Sequence, residues 1–361
     1  MLISQNNPRM SGARVESLDI LRGIAIIAVI GVHVRQKFPS GLIDLDSLMA
    51  YGGYGVQLFF FISAFTMCYV WEHDQNNPNL VADFYRKRIL RIAPLFWLAI
   101  PFYMIERSIF HANSSPSLEH YLLTIGFLHT FWPTSFNNVV PGGWSIGVEM
   151  TFYLFFPLLA KVMRLRASSF LVLAMLVYFL NKIFVIPTLL QTLPLMVPDL
   201  TPEQLTGFAE SDFLNQAPIF LMGCFLFHRH KTGIRTSEFA LLSCWIVGVL
   251  VLKTVWDVSG LFFFHCALIG LSFYFILNSQ LRCGWMSRLG YRSYGIYLIH
   301  FFVLDCIYEL NPGSGSVFTM LIVLAATTYI SFTLANRIEG LANPFFKGLL
   351  MKPKRPACSL E

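Results

Sequence analysis

Charge is what this chain has least of. Only 13% of its 361 residues are Asp, Glu, Lys or Arg, against 55% apolar ones, and the mean hydropathy is +0.60. So few polar residues cannot coat a soluble globule of this size, which excludes a water-soluble enzyme domain and points to an integral membrane protein. Paired cysteines are absent too. The seven at 68, 224, 244, 266, 283, 306 and 358 never form Cys-x-x-Cys and lie mostly in apolar segments, so they read as small core hydrophobes. The last, Cys358-Ser-Leu-Glu, has the outline of a prenylation box without its aliphatic pair. Gly52-Gly-Tyr-Gly55 lacks the strand a dinucleotide loop requires, and Glu72, His73 and Asp74 are consecutive and point apart. No metal site and no nucleic-acid partner is expected.

What is present is a series of apolar segments. They predict an all-α polytopic membrane protein of about ten transmembrane helices, near 18–34, 54–72, 89–110, 144–163, 169–187, 213–227, 238–256, 260–278, 293–310 and 317–336. Residues 1–17 are expected to be a flexible lead, 18–340 a single transmembrane domain, and 341–361 a tail. The first apolar segment bears an arginine and no small-residue cleavage site, so it reads as a retained span. The stretch 118–132 is too short for a crossing and is expected to be a re-entrant or short helical piece. Charge supports this count: twenty of the 26 Lys and Arg then fall on one side, in the lead, 86–91, 161–166, 229–235, 282–292 and after 336. Both termini are therefore expected in the cytoplasm, with 111–143 and the acidic loop 188–212 outside. A multi-pass membrane location follows.

The first segment, Leu18–Val34, holds Asp19, Arg22 and His33. Its seventeen residues span about 25 Å as a helix. Eleven positions at 100° each bring Arg22 and His33 to within about 20° in azimuth, some 16 Å apart in depth. A cation and an imidazole on one face of a span mark a functional track, or else Arg22 snorkels to pair with Asp19 and His33 caps the helix. Glu149 sits inside the fourth span and needs a partner. His33 at similar depth would serve, and Arg107 or Lys182 would serve a purely structural pair. The run Arg86, Lys87, Arg88, Arg91 is either an anion-binding group or an ordinary positive anchor at the lipid interface.

Five blocks carry a resemblance: Asp19, Arg22, Gly23 and His33; Gly55–Ser63; Tyr85–Pro94; Trp144–Tyr153; and Ser293–His300. In this order they resemble the membrane acyltransferase-3 family, over most of the chain. The resemblance implies an O-acyltransferase taking acetyl from cytoplasmic acetyl-CoA to a hydroxyl of a cell-surface glycan, polysaccharide or glycolipid, with no bound cofactor. It assigns His33 as catalytic base or transient acyl carrier and Glu149 as its orienting carboxylate. Arg22 would fix the donor arm, Arg88 and Arg91 would hold phosphates, and Trp144 and Ser145 would border the substrate. Ala64 and Gln57 depart from the family's usual Gly and acidic residue, which touches helix contacts rather than chemistry. No hydrolase-like second domain accompanies the stretch, so the membrane domain is expected to act alone.

Two rivals remain at the level of sequence. Gly143-Trp-Ser145-Ile-Gly147 is a literal Gly-x-Ser-x-Gly, the nucleophile elbow of serine hydrolases, though no strand precedes it. A carrier or flippase of lipid-linked sugars would also show ten helices and buried charge, but matching halves are not evident. Of the remaining ionisable residues, His300 reads as a packing or helix-to-helix residue, and His129 as a neighbour of the acceptor. His228 and His230 read as solvated, and Lys182 as a cation in need of a partner.

Overall fold

In the computed structural model, residues 16–110, 116–162, 167–230, 232–256, 261–279, 281–312 and 315–350 are described. The lead and the Cys358 box fall largely or wholly outside them. The described residues are helical throughout, with no strand. In order the helices are α1 Glu16–Lys37, α2 Ile43–Ala50 with a 3-10 turn Tyr51–Tyr54, α3 Gly55–His73, α4 Leu80–Phe110 and α5 Leu118–Ile125. There follow α6 Gly143–Val162, α7 Ala167–Leu180 running through a π turn Asn181–Val185 into α8 Ile186–Met196, α9 Pro202–Ser211 and α10 Phe213–His230. The last five are α11 Thr236–Trp256, α12 Leu261–Asn278, α13 Gly284–Tyr291, α14 Ser293–Leu310 and α15 Val317–Leu350.

Among the described residues seven helices are long and apolar enough to cross a membrane: Glu16–Lys37, Ile43–His73, Leu80–Phe110, Gly143–Lys161, Ala167–Met196, Ser293–Leu310 and Val317–Ala342. The other three expected spans are helical as α10, α11 and α12 without being among the seven. For α10 the reason is visible. It carries Asn215 and Gln216, ends in His228-Arg229-His230, and is buried along most of its length against α3, α7 and α12. A helix enclosed by other helices has no need of a lipid-facing apolar surface. The segment 118–132 is the eight-residue α5 and a short 3-10 turn, His129–Phe131. At about 12 Å, such a helix cannot cross a bilayer.

Helix α1 is the hub, packed on α13, α3, α14 and α15. It meets α3 antiparallel: an added Cβ on Gly55 would lie 2.5 Å from the Ala25 carbonyl, and one on Gly52 2.3 Å from that of Ala28. On the other side a Cβ on Gly290 of α13 would sit 1.7 Å from the Asp19 carbonyl, so these two backbones touch. Outside the bundle, Leu154, Leu158, Phe275 and Tyr329 are 60% to 71% exposed, as lipid-facing residues are.

Several sequence readings change here. His228 and His230 are not solvated: the first stacks on Phe170 with centroids 5.3 Å apart, the second meets the edge of Phe65 at 5.7 Å, and Arg229 between them pairs with buried Glu238. Helix α10 continues past residue 227 and carries these rings into the bundle. Lys182 lies in the π turn, 5% exposed, where the acidic group acting on it is Glu210. Buried amides surround the same junction, with Gln57 donating to Gln216 at 3.2 Å. Arg107 binds Asn138, so neither structural partner suggested for Glu149 is the one it uses.

Candidate active site

Among the described residues a polar chamber lies between the α1, α3, α4, α6 and α14 helices. Its walls include Arg22, Ser63, Thr66, Arg91, Ser145, Glu149, Tyr153, Tyr294 and Tyr297, and its free space is about 70 Å³. That admits a few waters or a narrow ligand arm. Arg22 serves both readings of its helix face. Its Nη1 donates to Asp19 at 3.0 Å and its Nη2 to Thr66 on α3 at 3.2 Å, while the guanidinium faces the chamber.

Glu149 is not joined to His33. Its Oε1 accepts from the Ser63 hydroxyl at 2.6 Å and from the Tyr153 hydroxyl. The expected pairing fails on depth. Helix α3 presents Thr66 to Arg22 and, one turn on, Ser63 to Glu149, so the carboxylate lies within about 5 Å of the depth of Arg22. His33 stands eleven residues further along α1. It binds Gln36 through Nδ1 at 2.9 Å, packs on the rings of Phe301 and His300, and does not line the chamber.

The basic run on α4 divides. Arg86 pairs with Asp83 at 3.0 Å and Lys87 with Asp74 at 2.8 Å, both near the surface. The bonds from Lys87 and His73 hold the Asp74 carboxyl below the usual carboxylate range. Arg88, by contrast, is 6% exposed, with Phe84 and Tyr153 5.8 and 6.0 Å from its guanidinium carbon. Arg91 lines the chamber. A lipid-interface anchor fits the first two and not Arg88, because burying an arginine sacrifices the solvation an anchor keeps, while Arg91 is exposed and turns to the chamber.

At the far end of the chamber Ser145 donates to the Gly142 carbonyl at 3.0 Å and bonds the Tyr297 hydroxyl at 2.8 Å. The Tyr297 hydroxyl also lies 3.0 Å from the Gly142 carbonyl, so two hydroxyl protons serve a triangle of three oxygens. Gly142, at φ 73°, turns that carbonyl toward both hydroxyls. Ser145 thus has no histidine partner of the kind a serine nucleophile requires. Nearby His129 bonds the Gly143 carbonyl through Nε2 at 2.9 Å, which ties the 3-10 turn to the start of α6. Trp144 meets Phe60 edge to face at 6.2 Å.

The structure therefore gathers Arg22, Arg91, Ser145 and Glu149 and leaves His33 apart. Ser63, Tyr153, Tyr294 and Tyr297 are chamber residues that reading the sequence did not single out. All four lie inside the blocks quoted for the resemblance, where their chain positions gave no sign of sharing a wall.

Among known proteins, the family model described as "Acyltransferase domain" matches residues 15–336. The peptidoglycan O-acetyltransferase OatA of Listeria monocytogenes is 26% identical over 41% of this chain and 24% of its own length. Acyltransferase MdmB of Streptomyces mycarofaciens is 26% identical over 42% of this chain and 40% of its own. O-acetyltransferase OatA of Staphylococcus aureus is 23% identical across 94% of this chain and 59% of its own length. The chain thus spans less than two thirds of each of these relatives. No solved structure matches.

Proposed function

Starting from the acyltransferase-3 family, to which this chain belongs, we propose a multi-pass O-acyltransferase of the plasma membrane that moves acetyl from cytoplasmic acetyl-CoA to a hydroxyl of a surface glycan, polysaccharide or glycolipid. The observation that carries this reading is the chamber, in which two arginines face one carboxylate between membrane helices. Ionisable groups within spans are costly and mark a ligand path. An anionic, elongated donor answers both arginines, since guanidinium groups pair with phosphate through planar forks. In this reading Arg91 takes the phosphate end with buried Arg88 behind it, Arg22 holds the arm, Ser145 borders the far end, and Trp144 backs the chamber wall through Phe60. Glu149, fixed by Ser63 and Tyr153, balances the two cations.

The thioester supplies the activation. Attack of the acceptor hydroxyl oxygen on the acyl carbon forms the ester bond and breaks the C–S bond, and the hydroxyl proton passes through His33 to the departing thiolate. In a two-step route His33 carries the acetyl between donor and acceptor. Ten crossings with both termini in the cytoplasm, a lead at 1–17, a domain at 18–340 and a tail beyond complete the proposal. It is tested by giving membranes radiolabelled acetyl-CoA and seeking base-labile label on glycan. His33→Ala should cut transfer by about 10²- to 10⁴-fold with normal protein accumulation. Movement of lipid-linked sugar without acyl transfer would favour a carrier instead.

A further inference from the structure

His300 on α14 is fully buried, and its ring lies 5.4 Å from that of His33, centroid to centroid. Phe301 packs on both imidazoles, at 4.4 Å from His33 and 4.2 Å from His300. The hydrogen bonds fix what each ring offers. His300 Nδ1 lies 2.8 Å from the Tyr297 carbonyl, which only accepts, so the proton of the neutral ring sits on Nδ1. His300 Nε2 is then a lone pair, buried and without a partner. His33 takes the same tautomer when its Nδ1 donates to the amide oxygen of Gln36, 2.9 Å away, which leaves its Nε2 as a lone pair as well. Two adjacent imidazoles are thus tautomerically set the same way, each with its basic nitrogen free.

A buried lone pair without a donor is an unmade hydrogen bond, and such groups are uncommon. The one bond His300 makes is to Tyr297 of its own helix, so it joins no other helix by hydrogen bonding, and its second nitrogen is left on the side shared with His33. The tyrosine that orients it is also a chamber residue, since the Tyr297 hydroxyl meets Ser145, and the Tyr297 and His300 rings are 5.7 Å apart. Along α14 the order Ser293, Tyr294, Tyr297, His300 therefore climbs from the chamber toward His33.

We propose that His300 is the positioning and proton-sharing partner of His33, the two Nε2 atoms holding between them the one proton released by the acceptor hydroxyl. This rests on the acyltransferase reading given above. In the step, the hydroxyl oxygen bonds the acyl carbon while its proton goes to His33 Nε2. His300 Nε2 accepts a hydrogen bond from the protonated ring, directly or through one intervening hydroxyl or water. When the C–S bond breaks, the thiolate takes that proton and both imidazoles return to neutral. No further reactant is consumed. Sharing spares the apolar interior an isolated imidazolium, which burial penalises.

The test uses the full-length enzyme, purified in detergent, as His300→Asn, His300→Gln and His33→Gln. Asparagine retains a donor for the Tyr297 carbonyl, and glutamine retains an acceptor oxygen further out, but neither takes up a proton. Both His300 variants should keep the wild-type thermal midpoint and a KM for acetyl-CoA within about twofold, while kcat drops about 100-fold or more. A kcat within about threefold of wild type in either one overturns the pair. Failure of both to fold assigns His300 to packing and overturns it equally. His33→Gln separates the two ideas: if it is inactive while His300→Asn is active, the pair falls and the base reading stands. Wild-type turnover in His33→Gln removes the base reading, and the pair with it.

Discussion

The two arginines at positions 88 and 91 are one turn apart and do different work. Arg91 opens onto the chamber, whereas Arg88 is buried with its guanidinium over Phe84 and Tyr153. Lysine keeps the charge but loses the planar fork and the stacking face. Arg91→Lys should therefore raise the KM for acetyl-CoA, about tenfold for each 1.4 kcal/mol by which donor binding weakens, with an unchanged thermal midpoint. Arg88→Lys should instead lower the midpoint. Donor titration and melting of both purified variants check this, and an unchanged KM in Arg91→Lys would transfer donor recognition to Arg22. Ser145 is a second case where neighbours decide the role. Its two bonds go to a carbonyl and a tyrosine, so Ser145→Ala should lose about one net hydrogen bond, about 1 kcal/mol or fivefold in kcat/KM. Wild-type protein should resist fluorophosphonate probes, and specific labelling at Ser145 would restore the hydrolase reading.

Among the elements, the packing of α1 on α13 has the least slack. The Cβ that Gly290 lacks would overlap the Asp19 carbonyl and come within 2.9 Å of the Gly23 nitrogen, all of it backbone that cannot rotate away. Asp19 in turn anchors Arg22. Gly290→Ala should thus force the helices apart, costing about 1–3 kcal/mol or more, and should raise the donor KM through the displaced arginine. Gly284→Ala, at the start of the same helix with nothing within 4 Å of its added Cβ, is the control expected to behave as wild type in melting and titration. The helices themselves were readable because apolar length is a strong signal: the boundaries expected for 293–310 and 144–163 agree with α14 and α6 to within a residue. Depth across different helices was not. Nothing in chain order says that Ser63 rather than His33 meets Glu149, or that Tyr297 meets Ser145. Those matches arise from how α3 and α14 are slid against α1 and α6. The pairing of His33 with His300 was hidden for the same reason, 267 positions separating two rings that touch.

At the scale of the whole molecule, direction across the membrane decides whether the chamber receives a cytoplasmic donor. Arg22, Arg91 and Glu149 line the chamber, and the pair of His33 and His300 lies beyond Tyr297 on the side away from Arg22. In the proposed ten-crossing arrangement the uneven distribution of basic residues, twenty against six, would turn the arginine end to the cytoplasm under the positive-inside tendency. The short α5 matters here, because counting it as a crossing would reverse every later segment and put Lys161 and its neighbours on the wrong side. Single-cysteine variants in a background without native cysteines test this. Ser117→Cys before α5 and Gln204→Cys in α9 should react with an impermeant maleimide on intact cells. Thr232→Cys after α10 and Ser287→Cys in α13 should react only after permeabilisation. Equal labelling of positions 117 and 232 in intact cells would break the ten-crossing arrangement and, with it, the case for a donor entering from the cytoplasm. The expected pattern would put the chamber arginines within reach of cytoplasmic acetyl-CoA and the imidazole pair nearer the acceptor.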